Sequence, residues 1–175
     1  MLNKKILIII SGIITLVMFC VVMFIVNPLI DAKDGVGVLA LQLSFNKEVG
    51  VEIINSWGQS GIENFKQLIF TDYIYALGYS IFFASILSTL ILKKGKENLL
   101  TFRMIIYLPF LAGLFDWIEN SIELLFINNP IEFSNTLFFI HSIIASLKWA
   151  VLPIVMGYII VLLLQKNVNT KSTIK

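Results

Sequence analysis

Four stretches of the chain stay apolar almost without interruption: about residues 6–26, 70–92, 104–127 and 137–164. At 1.5 Å per residue each is long enough for a helix to cross a hydrocarbon core about 30 Å thick. Backbone groups in lipid must be satisfied within their own segment, so the runs predict helices rather than strands. Lys4 and Lys5 precede the first run, as they would in a secretory signal. That run is longer than the roughly 7–15 apolar residues of a signal, and Phe19-Cys20 lacks the small residue a lipoprotein cleavage site needs. An uncleaved first span is therefore expected. Pro109 and Pro153 fall inside the third and fourth spans and predict kinks there.

The segment from 27 to 69 separates the first two spans. Asn27-Pro28 and Asp34-Gly35 read as turns at its start. Leu39, Leu41, Leu43 and Phe45 alternate with smaller or polar residues, which fits either a short half-buried strand or an extended segment on the membrane face. Asn46 is placed to cap a helix whose Val49, Ile53, Ile54 and Trp57 share a face and which Gly58 would end. Residues 61–69 then lead into the second span. So apolar a connection predicts an interfacial cap lying on the bundle, with Trp57 at headgroup depth.

Composition agrees. Of 175 residues, 58% are hydrophobic and 14% charged, with a mean hydropathy of +0.89. A soluble domain has about 45–50% apolar and about 25% charged residues. A disordered chain, a nucleic-acid-binding domain and an ordinary cytosolic enzyme are thereby excluded, and no nucleic-acid partner is expected. Cys20 is the single cysteine, so an internal disulfide and a CxxC pair are excluded. The expected fold is all-α: one membrane domain over 1–175, a bundle of four transmembrane helices with an extracytoplasmic cap between the first two. Lys4, Lys5, Lys93, Lys94, Lys96, Arg103, Lys166, Lys171 and Lys175 fall on one side with Glu97 as its only acid, whereas Lys33, Lys47 and Lys66 fall on the other with Asp31, Asp34, Glu48, Glu52, Glu63 and Glu132. The positive-inside rule then places both termini in the cytoplasm of a plasma membrane, a bacterial inner membrane by expectation.

The unusual feature is charge inside the spans. Asp116, Glu119, Asn120 and Glu123 are spaced 0, 3, 4 and 7 along the third span, which puts them on one helical face. His141 and Lys148 share a face of the fourth. Each charge at the membrane centre costs about 2.5–3.5 kcal/mol on insertion scales, so such a group needs partners. Consecutive spans run antiparallel. Counting from the loop near 128–135, Asp116 and Lys148 both lie roughly 16 Å deep, and Glu123 and His141 both lie roughly 6 Å deep. Matched depth and opposite sign predict two layers, Asp116–Lys148 and Glu123–His141, with Glu119 between them. Asp72, Tyr75 and Tyr79 share a face of the second span and form a candidate outer gate, a role that competes with that of interfacial belt tyrosines. A metal held by Glu119, Glu123 and His141 is the weakest use of the cluster, with one histidine and no HExxH. No metal and no cofactor is expected.

At Leu114-Phe115-Asp116-Trp117-Ile118-Glu119-Asn120 the chain resembles a family of small bacterial four-span membrane proteins with an Asp-x-x-Glu-Asn motif in span 3. Trp57-Gly58 and Asp72-Tyr73 look similar to that family too. The resemblance implies the four-span fold and no particular activity. The layout of four spans and a long first loop is also similar to that of the sterol-isomerase and sigma-receptor group, an analogy of architecture alone. Three functions follow as expectations. The first is a polar intramembrane site, built from Asp116, Glu119, Asn120, Glu123, His141 and Lys148, that binds or passes a small ligand, a proton or a lipid headgroup. The second is a lipid-modifying enzyme using Glu/His acid–base chemistry. The third is a structural or assembly factor. Expected partners are membrane lipid and a second copy or another membrane protein.

Overall fold

The computed structural model describes residues 4–30, 37–96 and 99–165. Among them the chain is all helical: α1 Lys4–Ile30, α2 Gly37–Gln42, α3 Lys47–Lys93, α4 Leu100–Ile105, α5 Leu108–Asn128 and α6 Asn135–Leu164. Four helical stretches are long and apolar enough to cross a membrane: α1, α3, α4 with α5, and α6. Their outer faces carry apolar side chains such as Ile13, Leu16, Phe70, Leu125 and Leu163, all exposed, as lipid contact requires. Asp34-Gly35 and the C-terminal Lys166, Lys171 and Lys175 lie outside the described residues.

Packing is sequential. α1 lies on α3, α3 on α5, and α5 on α6. Glycine permits the closest crossings: a Cβ at Gly78 would sit 3.1 Å from Ile14 Cγ2 of α1, and one at Gly113 would overlap Ser80 Oγ of α3. Ser80 Oγ lies 2.7 Å from Ala76 O and 2.9 Å from Pro109 O, so its one proton is shared between the two carbonyls, tying α3 to the start of α5. One apolar core, of Leu87, Ile91, Ile105, Val155, Ile159 and Leu162, fills the end of the bundle near Lys93, Lys94 and Arg103. Lys94 Nζ donates to Gln165 O just past α6, and Lys96 Nζ lies 2.5 Å from Gln165 Oε1. Lys94 is thus buried as a cap for a helix-end carbonyl. A second core, including Ile54, Trp57, Phe65, Phe126 and Phe138, fills the opposite end.

The prolines act differently from expectation. Pro28 makes no turn, because α1 continues through Ile30. Just before it, Val21–Val26 widens into a π-turn whose last bond runs from Asn27 N–H to Val22 O. A wider turn relieves the clash between a proline ring and the preceding turn of helix. Pro109 does not kink a continuous helix; it lies in the first turn of α5, after a break at Ile106–Tyr107. There its missing N–H costs nothing. Pro153 is inside α6 as anticipated.

In the connection, Asn46 Oδ1 accepts from Val49 N (3.1 Å) and starts α3. Gly58, at φ 65° and ψ −177°, bends α3 between its cap portion and its spanning portion. The strand reading of 39–45 is overturned: Gly37–Gln42 is helical, and among the described residues no strand exists for a strand there to pair with. Trp57 is buried against Phe65, at 5.0 Å between ring centroids, and does not face headgroups. The cap also reaches along α6. Phe45 N donates to Ser142 Oγ (3.2 Å), and Trp149 Nε1 donates to Gln42 Oε1 (3.1 Å). Those partners lie about 10 and 21 Å along α6 from Asn135, so α2 lies beside the bundle rather than only over its end. Its irregular exit, Leu43–Asn46, is tolerated at that depth because protein covers it in part.

Candidate functional site

The site forms where α5 faces α6. On α5, the i, i+3, i+4, i+7 spacing turns Asp116, Glu119, Asn120 and Glu123 inward together, and all four are buried. On α6, His141, Ala145 and Lys148 recur every three to four residues, and all three are buried. Ala145 between the two polar residues leaves room for the carboxylates of α5. Exposure is 3% for Asp116, 0% for Glu119, 1% for Glu123, 1% for His141 and 4% for Lys148, so water screening is minimal.

Lys148 is the centre of the deeper layer. Its Nζ donates to Asp116 Oδ1 at 2.9 Å and lies 2.7 Å from Glu119 Oε2, the latter a close ion pair rather than an aligned hydrogen bond. Tyr79 Oη donates to Asp116 Oδ2 at 3.1 Å, so both oxygens of Asp116 are partnered. In the other layer His141 Nε2 meets Glu123 Oε1 at 3.2 Å. The pairs predicted from matched depth are therefore present, and Glu119 joins the lysine. Glu119 Oε1, Glu123 Oε2 and His141 Nδ1 are buried without a hydrogen-bond partner.

The outer-gate residues divide. Asp72 is half-buried and accepts from Asn120 Nδ2 at 3.0 Å, which joins it to the edge of the cluster. Tyr79 is 1% exposed and belongs to the deeper layer. Tyr75 is half-buried, its ring edge-on to Tyr79 and tilted against Phe19. Sequence reasoning missed Gln42, Ser142 and Trp149, which anchor the cap next to Lys148. Lys148 Nζ lies 5.4 Å from the centroid of the Trp149 ring. A glutamine within an apolar stretch, Val38–Leu43, was the available signal.

One donor atom from each of Glu119, Glu123 and His141 lies within 4.8 Å of the other two. Two surface grooves among the described residues lie away from the cluster, about 200 Å³ between Ala76, Gly113 and Trp117 and about 550 Å³ along Leu100–Leu111, both lined mainly by apolar groups. Comparison of the chain with protein-family models, with curated proteins and with solved structures gives no match. The Asp-x-x-Glu-Asn likeness in α5 thus identifies no family. What stands is a small polytopic membrane protein with four spanning helices and a buried charged cluster between the last two.

Proposed function

We propose that this protein works by binding, in the membrane, a small ligand or proton at the cluster between α5 and α6. The observation that carries this reading is an excess of acid. Asp72, Asp116, Glu119 and Glu123 gather around one lysine and one histidine, and two of the carboxylates keep an unpartnered oxygen. A register-fixing salt bridge needs equal and opposite charge, since uncompensated buried charge is expensive. A surplus of carboxylate calls for protons or a cation from outside the chain. Full burial of Glu119 favours a ligand of atomic size over a lipid headgroup or a lipid substrate. The basic residues at the Lys93–Arg103 end support a cytoplasmic orientation of that end in a cell membrane.

The test is Glu119→Gln in the full chain reconstituted in nanodiscs. Infrared difference spectra across a pH step should show a carboxylic-acid carbonyl band in the wild-type protein. The variant should lose it while keeping its abundance and thermal stability. A variant that loses abundance while the wild-type protein shows no exchanging band would make the cluster a structural fastener.

A further inference from the structure

We propose that Glu119, Glu123 and His141 form a binding site for one divalent transition-metal ion, an inference that rests on the small-ligand reading above and names the ligand. Distance supplies the first support. His141 Nε2 and Glu123 Oε1 are 3.2 Å apart. Two donors on one ion, with bonds of about 2.1 Å, are spaced about 3.0–3.4 Å. Glu119 completes the trio with its donor inside 4.8 Å of both, so its side chain needs to close by little more than an ångström.

Unused lone pairs supply the second. Glu119 Oε1 and Glu123 Oε2 are buried and accept nothing from the protein. Orphan acceptors on fully buried carboxylates are costly unless a cation or donor meets them.

Charge supplies the third. Lys148 is shared between Asp116, at 2.9 Å, and Glu119, at 2.7 Å, and Tyr79 also holds Asp116. One lysine therefore faces more than one carboxyl group, and a dication at the trio would offset the surplus of acid. Asp72, half-buried and bonded to Asn120, adds a further carboxyl at the edge of the cluster. A mixed imidazole and carboxylate set suits Zn²⁺, Fe²⁺ or Mn²⁺ better than Mg²⁺ or Ca²⁺, which take oxygen donors. Three protein donors leave at least one coordination position for water or a small ligand. On entry the ion takes the lone pair of His141 Nε2 in place of the contact with Glu123, and the imidazole N–H stands on Nδ1.

The experiment uses the full chain in nanodiscs, freed of any affinity tag, stripped with a chelator and titrated with Co²⁺ as a visible probe. One Co²⁺ per chain should bind with d–d absorption, an imidazole nitrogen in its X-ray absorption spectrum and a higher thermal midpoint. Losing an outer-shell partner alone costs about 10–100-fold in metal affinity, so His141→Gln and Glu123→Gln should each weaken binding at least 100-fold. The absence of stoichiometric Co²⁺ and Zn²⁺ binding, or binding that survives in His141→Gln, overturns the proposal. If a variant does not fold, the imidazole signature in the wild-type protein decides alone. Should metal binding fail while the Glu119-dependent infrared band persists, only the metal is withdrawn. Loss of both removes the small-ligand reading as well.

Discussion

Replacing Lys148 with Met tests whether the deeper layer is held as described. The side chain contacts Asp116 at 2.9 Å and Glu119 at 2.7 Å and is 4% exposed. Methionine keeps most of its length and removes the charge, leaving two buried carboxylates without a cation. Removing one partner of a buried ion pair costs about 3–5 kcal/mol. An insertion scale gives about 2.5–3.5 kcal/mol for one unpaired acid in a helix centre, which agrees. At 1.4 kcal/mol per tenfold, the folded-to-unfolded ratio should fall about 150- to 4,000-fold. That is a large share of a total stability of about 5–15 kcal/mol. Reversible unfolding in mixed micelles, with SDS as denaturant, reads the change. The neutral triple variant Asp116→Asn, Glu119→Gln, Lys148→Met should recover all but about 1–2 kcal/mol, because it strands no charge. A single variant as stable as the parent, or a triple variant no better than the single, would refute the ion-pair account.

Two further substitutions probe the frame around the site. Gly58→Ala places a Cβ at φ 65° and ψ −177°, a region almost reserved for glycine, although no atom lies within 4 Å of it. It should cost about 1–3 kcal/mol from backbone strain alone, and an unchanged midpoint in the same unfolding assay would contradict the kink. Gln42→Leu removes the acceptor of Trp149 Nε1. Amide exchange over residues 37–43 should quicken about fivefold, the equivalent of about 1 kcal/mol, and no change would mean that the bond does not anchor α2.

Much of the candidate site was legible before any coordinates, because helical periodicity and membrane thickness are strong constraints. Spacing alone put Asp116, Glu119, Asn120 and Glu123 on one face, and a short loop made α5 and α6 antiparallel, so depth matched Asp116 with Lys148. Tyr79 was harder. Its distance from Asp72 suggested a gate, whereas the crossing of α3 and α5 at Gly113 brings its hydroxyl to Asp116.

The sequence by itself determined the four spans, the cap started by Asn46 and broken at Gly58, and the inward face of each charged helix. These depend on local periodicity and on the need to satisfy backbone groups within a segment in lipid. Only the tertiary structure decided that Pro109 starts a helix, that Lys148 serves Glu119 as well as Asp116, and that α2 lies along α6 beside Trp149. It also left Glu119 Oε1 and Glu123 Oε2 without donors. Such outcomes depend on how closely helices approach and which side chains then compete for one cation, and neither quantity is written in the spacing of residues along a single helix.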